Sequence, residues 1–332
     1  MADIVLGLAT AHTPLFTLEA KDWQLRSAAD MANPRLNLSD GRWLKYDELL
    51  AEVGPRHAEA SRPEELQRKA ALCEQALDRL AEALEAAAPD VVLVVGDDQC
   101  ELFGANNQPA FAVCHADRLV TSDAFGRPGS PDWVLKAGKG YLMDARHVLP
   151  GHAGLGARLI QGLVDAGVDA ASVAGFPEDG GLGLGHAFGF ISQRLFRGRA
   201  IPMVPLLLNT YYPPNVPTAA RCHDIGRALR AVLHAEGSAL RVAIVASGGL
   251  SHFVVDPELD LRVMRALREK DAATLRSIPR PALNSGSSEI LNWVLAAGAL
   301  DHLDVGWSQY LPLFRTPAGT GVGAGFAIWG GG

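Results

Sequence analysis

The chain has 332 residues, of which 48% are hydrophobic and 20% are charged, enough apolar material for a substantial core. Its formal net charge is −7, and no cluster of Lys and Arg offers a track for a phosphate backbone, so we expect no nucleic-acid partner. No run of 18 apolar residues occurs, so we expect no membrane span. A small organic substrate fits this composition better.

The cysteines indicate the redox environment of the protein. The chain contains four, Cys73, Cys100, Cys114 and Cys222, without C-x-x-C spacing. The first residues carry no cationic segment of the kind that begins a secretory signal. We therefore predict four free thiols in a reducing cytoplasm.

Residues 3–9 predict a short apolar strand, and Pro14 ends it shortly after His12, which places this histidine in a turn. Residues 17–60 are mixed and polar, and we interpret them as an N-terminal insertion that covers a site or mediates dimer contacts. Ser61 and Glu64 have capping-box spacing, which predicts a helix running to about Ala88.

The rest of the chain alternates predicted strands and helices. The strand at 91–95 is apolar on both faces, which is typical of a sheet covered on both sides. Further strands are predicted at 171–176, 201–208, 241–246 and 322–329, and helices at 152–166, 186–197, 217–236, 257–277 and 287–299. This alternation predicts one α/β domain over 1–332, with a mostly parallel or mixed sheet between helix layers.

Four titratable residues follow these predicted strands or begin a helix: His12, His186, His252 and Glu289. Strand ends are where ligands and catalytic groups gather in α/β proteins, and imidazoles with a carboxylate are the ligands of redox iron. The alternatives are a turn histidine bonded to a carbonyl, an incidental histidine at a helix start, and an ordinary carboxylate at a helix N-terminus.

Two strand ends are unusual in composition. Gly248 and Gly249 precede His252, and their backbone entropy cost suggests that something packs closely against this strand end. Asp97 and Asp98 end the most hydrophobic strand, where adjacent acids are unfavourable unless they are solvated, paired or bound to a metal.

Taken in order, these motifs resemble the class III extradiol ring-cleavage dioxygenases, the family of the protocatechuate 4,5-dioxygenase catalytic subunit. The segments that carry the resemblance are the turn at His12, the Asp98-Gln99 pair, the Gly-His loop at His186, the Tyr211-Tyr212-Pro213-Pro214 loop, the Gly248–His252 segment, and Ser285-Gly286-Ser287 followed by Glu289 and Trp293. The long N-terminal insertion and the Gly-Asp-Asp-Gln stretch are similar to the methylgallate dioxygenase branch.

The resemblance implies Fe(II) held by His12, Glu289 and Gln99, with a catechol- or gallate-type aromatic diol and O2 as substrates. It implies that His252 acts as general base, that His186 orients the substrate or the distal oxygen, and that Tyr211, Tyr212 and Gly249 contact the substrate. We also expect a homodimer.

Gln99 departs from the family pattern, which has a histidine at this position. An amide oxygen is a weaker ligand than imidazole, so Asp98, Glu101 or His57 are alternatives for completing the site. Two other functions remain open: a divalent-metal hydrolase or lyase on the same scaffold, and a non-catalytic binding relative.

Overall fold

The structure is a computed structural model that describes residues 2–126 and 129–330. Eight strands form one mixed sheet in the order β11-β12-β1-β10-β4-β9-β5-β8. Its strands are β1 (Asp3–Thr10), β4 (Val91–Asp97), β5 (Phe111–Cys114), β8 (Ala171–Val173), β9 (Met203–Leu208), β10 (Arg241–Ser247), β11 (Val305–Phe314) and β12 (Gly321–Trp329). Two small ribbons pair β2 (Leu36–Asn37) with β3 (Trp43–Leu44) and β6 (Arg118–Val120) with β7 (Val148–Pro150).

The centre of the sheet is parallel. Strands β1, β10, β4 and β9 lie side by side in the same direction, whereas β12 pairs antiparallel with β1 and β5 pairs antiparallel with β9. The carboxyl ends of the four central strands therefore meet at one edge of the sheet.

The helices are α1 (Trp23–Met31), α2 (Tyr46–Val53), α3 (Pro63–Ala87), α4 (Asp132–Gly140), α5 (Ala153–Asp165), α6 (His186–Arg194), α7 (Ala219–Ala235), α8 (Pro257–Glu269), α9 (Ala272–Arg276) and α10 (Ile290–Ala299). They cover both faces of the sheet. Val91, Leu93 and Val95 pack in a core with α5, α7, α8 and α10, whereas Val92 and Val94 pack with α3 and α6. The predicted α/β fold with a mixed sheet between helix layers is confirmed. No helix in the described part of the chain is long and apolar enough to cross a membrane.

Three local predictions were wrong. Ser61 belongs to a 3-10 turn and its hydroxyl donates to the carbonyl of Ala58, so it caps nothing, and α3 begins instead with Pro63, a favourable first helical residue. The helix predicted at 257–277 is divided at Lys270, whose φ is +54°. Strand β11 was missed because it lies at the sheet edge, where half-buried polar residues and Pro312 hide the strand pattern.

The segment 17–60 contains α1, α2 and the β2–β3 ribbon. Leu36, Tyr46 and Leu49 form a small core with Ala318, so this segment packs against the turn between β11 and β12. Its description as an insertion stays a prediction, as does the homodimer.

Candidate active site

The central strands bring the predicted residues to the carboxyl edge of the sheet. His12 lies two residues beyond β1, Asp97 is the last residue of β4, Tyr211 follows β9, and the Gly248–His252 segment follows β10. Glu289 ends a 3-10 turn that leads directly into α10. Residues far apart in sequence thus converge at one buried place.

His12 is oriented by Ser247. The Ser247 hydroxyl donates to the carbonyl of Ala187 at 2.7 Å, so it can only accept from Nδ1 of His12, 3.0 Å away. Nδ1 therefore carries the proton of the neutral ring, and the lone pair is on Nε2. That atom is buried without a hydrogen-bond partner and lies 3.3 Å from Glu289 Oε2 and 3.9 Å from Asp97 Oδ1.

Glu289 is held from three sides. Its Oε1 accepts from the Tyr211 hydroxyl at 2.9 Å and lies 3.2 Å from His252 Nε2, and its Oε2 accepts from the Gly249 amide at 2.7 Å. Burial opposes its ionisation, but the adjacent His252 lowers the pKa of this carboxyl well below its ordinary value. Glu289 is therefore a fixed anion.

His252 packs into space that glycines leave. A Cβ on Gly249 would lie 2.9 Å from Cε1 of the His252 ring, and one on Gly286 would lie 2.0 Å from Cδ2. Nδ1 of His252 is 2.8 Å from the carbonyl of Leu250, which can only accept. The ring is thus fixed between two acceptors, with Nε2 directed at Glu289 Oε1.

Asp97 and His186 complete the cluster. A ligand atom from each of His12, Asp97 and His186 lies within 4.8 Å of the others. Burial, and then the charge of Glu289, raise the pKa of Asp97. His186 Nδ1 is hydrogen-bonded to Glu101, and although burial opposes a charged ring, Glu101 raises the pKa of His186 to about 10.

Gln99 presents its amide nitrogen to this cluster. Nε2 donates to Asp97 Oδ2 at 3.0 Å and lies 3.4 Å from His186 Nε2. Gln99 lies at the edge of the site, and in this orientation it holds Asp97.

Three other candidates lie elsewhere. Asp98 accepts from the amides of Leu102 and Phe103 and so stabilises the turn after β4. His57 stacks on Phe314 at 3.8 Å between ring centroids. Neither these two residues nor Tyr212 is among the described residues that line the central cavity, whereas Tyr211 is.

The cavity above the cluster has a volume of about 460 Å³. The predicted residues that line it are His12, Gln99, His186, Tyr211, Gly249, His252 and Glu289. Its further lining includes four aromatic residues, Phe125, Trp133, Tyr141 and Phe253, and two cationic ones, Arg26 and Arg315. A volume of this size, with apolar walls and a few convergent polar groups, suits a small aromatic ligand.

Sequence reasoning did not select Asp97 or Arg26 as site residues. Asp97 had a signal, because an acid that ends a buried strand needs a partner. Arg26 had none, since it lies in a mixed polar segment and its place in the cavity depends on how α1 packs.

A metal ion fits the cluster. Two buried carboxylates, Asp97 and Glu289, lie near an imidazole lone pair on His12 that has no hydrogen-bond donor. If both carboxylates are ionised, they and the lone pair repel one another unless a cation lies between them, and the raised pKa of Asp97 reflects its burial and then this repulsion. Nitrogen and oxygen donors of this kind suit Fe(II) and similar divalent ions.

Comparison with known proteins identifies the family. The family of the catalytic LigB subunit of aromatic ring-opening dioxygenase matches residues 56–325. The chain belongs to this family. The predicted resemblance is thereby confirmed, and the match includes Asp97, His186, His252 and Glu289, while His12 and Arg26 precede it.

One curated relative is gallate dioxygenase from Pseudomonas putida, which is 30% identical over 162 residues. The aligned region is 45% of this chain and 46% of that relative, so the chain covers less than half of the relative's length.

Proposed function

We propose that this protein is a non-haem Fe(II)-dependent extradiol dioxygenase that opens the ring of a catechol- or gallate-type aromatic, O-methylated forms included, with O2. Family membership supports a ring-opening dioxygenase. The observation that carries the metal-dependent part is the Nε2 lone pair of His12, buried without a hydrogen-bond partner and facing Glu289 and Asp97 at the base of the cavity.

The metal ligands in this proposal are His12, Glu289 and Asp97. We favour Asp97 over Gln99 in the third position for two reasons. The amide nitrogen of Gln99, rather than an oxygen, points into the cluster. Two carboxylate ligands, Asp97 and Glu289, also balance both charges of a divalent ion, whereas Glu289 with a neutral amide balances only one.

Bound Fe(II) would supply the one-electron chemistry that lets O2 react with an aromatic diol. The chain's own residues prepare the substrate. His252 is the proposed general base. Nδ1 is committed to the Leu250 carbonyl, so a ring hydroxyl would transfer its proton to Nε2, after Nε2 has left its contact with Glu289 and lost its own proton. His186, fixed by Glu101, orients the diol or its oxygen partner.

Tyr211 and Gly249, which the resemblance implies contact the substrate, have a second role in this proposal. Both donate hydrogen bonds to Glu289 and so hold the carboxylate in place, and both also line the cavity. The Tyr211 ring remains available for stacking against the substrate ring.

The test is turnover by the full chain, purified without oxygen and supplied with Fe(II), with gallate and 3,4-dihydroxybenzoate as substrates. The proposal expects O2 uptake and a ring-opened product that incorporates both atoms of isotope-labelled O2. His12→Ala should lose this activity, and Cys100→Ser, which changes another residue lining the cavity, serves as the matched control. Product formed at the same rate without O2 would contradict the proposal and favour a metal-dependent hydrolase or lyase.

A further inference from the structure

The cavity contains a cationic group that the proposed chemistry does not use. Arg26, on α1, and Arg315, just beyond β11, both line it. Asp30 is the carboxylate that pairs with both, with Arg26 Nη1 at 3.0 Å and Arg315 Nε at 2.6 Å. Two guanidinium groups thus share one buried anion.

Asp30 carries one charge and cannot neutralise both guanidinium groups, and Arg315 binds it more extensively than Arg26 does. Arg315 contacts both of its oxygens, and the Thr320 hydroxyl donates to Oδ2 at 3.0 Å. Arg315 is directed into this cluster and onto the carbonyl of Gly321. The other acids that line the cavity, Glu101 and Glu289, are bonded to histidines. The excess positive charge therefore resides on Arg26.

Arg26 is buried as well as incompletely paired. Its side chain is 16% exposed, and Nη1–Asp30 is the one polar contact of its guanidinium within the described chain. Burial, followed by the charge of Arg315, lowers its pKa. A partly desolvated guanidinium whose charge is incompletely balanced favours the binding of an anion, because the ion pair compensates for the lost hydration of the cation.

The position of Arg26 relative to the cluster suits an aromatic acid. Its guanidinium lies over the rings of Trp133, at 5.6 Å, and Phe253, at 5.4 Å. Phe253 in turn contacts His252, with 5.5 Å between ring centroids. Arg26 is thus about one aromatic ring away from the proposed base, at the wall of the same cavity.

We infer that Arg26 is the specificity-determining residue of this site, and that it binds an anionic ring substituent, a carboxylate, of the aromatic substrate. This inference rests on the proposed function for the diol at the other end. A bidentate guanidinium–carboxylate pair would fix which ring edge faces His252.

The test compares an acid with its neutral parent, 3,4-dihydroxybenzoate with catechol. Binding is measured by calorimetry on the full chain with Fe(II) and without O2. Wild type should bind the acid more tightly than catechol. Arg26→Met should lower the affinity for the acid by roughly 10- to 100-fold and leave the affinity for catechol unchanged. The affinity of Arg26→Lys for the acid should lie between those of wild type and Arg26→Met.

Arg79→Met is the matched control, since Arg79 also stacks on a tryptophan, Trp307 at 4.7 Å, but lies outside the cavity lining. It should bind both ligands as wild type does. An equal loss for acid and catechol in Arg26→Met, or no loss for either, would overturn the inference. Absence of O2-dependent turnover together with an Arg26-dependent preference for the acid would instead refute the proposed function alone.

Discussion

Replacing Ser247 by alanine tests the proposal that His12 is a metal ligand whose orientation Ser247 fixes. Ser247 accepts from Nδ1 of His12 and donates to the carbonyl of Ala187, and by this relay it leaves the His12 lone pair on Nε2. In Ser247→Ala the ring loses the contact that fixes its proton and its rotation. We expect weaker metal binding without direct loss of a ligand.

The magnitude follows from the burial of both atoms. Ser247 is fully buried and His12 is 3% exposed, so the Nδ1 proton left without an acceptor costs about 1–3 kcal/mol. Partners that orient metal-bound histidines contribute roughly 10- to 100-fold in metal affinity or activity, which is the same range expressed as a ratio. We therefore expect Fe(II) affinity to fall by ~10- to 100-fold.

The assay is competition with a chelator under anaerobic conditions, with thermal unfolding measured in parallel. Ser122→Ala is the matched control, because Ser122 is also fully buried and its hydroxyl also donates to a backbone carbonyl, that of Gly181. The control should lose stability but keep wild-type Fe(II) affinity. Equal Fe(II) affinity in Ser247→Ala and wild type would refute the role given to this relay.

Three further predictions follow from the same structure. His252→Gln should keep its metal and slow turnover by roughly 10²- to 10⁴-fold, as measured by iron content and O2 uptake, and loss of iron would make His252 a ligand. Asp97→Asn should lose more Fe(II) to a chelator than Gln99→Ala does. Gln99→His should hold Fe(II) more tightly if residue 99 faces the ion. A greater loss of Fe(II) in Gln99→Ala than in Asp97→Asn would restore Gln99 as third ligand. Burial raises the pKa of Asp260 to about 6 from an ordinary value of 3.8, so the folded state binds this proton more tightly than the unfolded chain. Its contribution to stability is full below pH ~3.8 and declines as pH rises to about 6, by about 3 kcal/mol. Asp260→Asn should remove that decline in chemical denaturation between these pH values, and an unchanged decline would assign it to other groups.

Most of the buried strands and their order along the chain could be predicted from sequence because their patterns are local, but the short buried strand β5 was not predicted. The Val91–Val95 run is apolar at every position, and the structure covers it on both faces. Edge strand β11 could not be predicted, since its half-buried residues lack alternation and Pro312 interrupts the strand pattern.

The residues of the candidate site likewise include some that local sequence patterns predict and some that only tertiary packing brings there. His12, His186 and His252 follow strands or begin a helix, so the general rule for strand ends selects them. Gly286 belongs to a motif of the resemblance, but its physical reason, the His252 ring packed against it, depends on the tertiary structure. Arg26 enters the cavity through the packing of α1, and that depends on contacts such as the Ser27 hydroxyl with the carbonyl of Arg315, between residues 288 positions apart.

The most direct measurement of the central claim is anomalous scattering at the iron absorption edge, from crystals grown anaerobically with Fe(II). The account predicts one strong iron peak bonded to His12 Nε2 and to the carboxylates of Glu289 and Asp97, at the base of the cavity that Arg26 and His252 line. An iron peak bound by other residues, or well-ordered His12 and Glu289 with no iron between them, would contradict it.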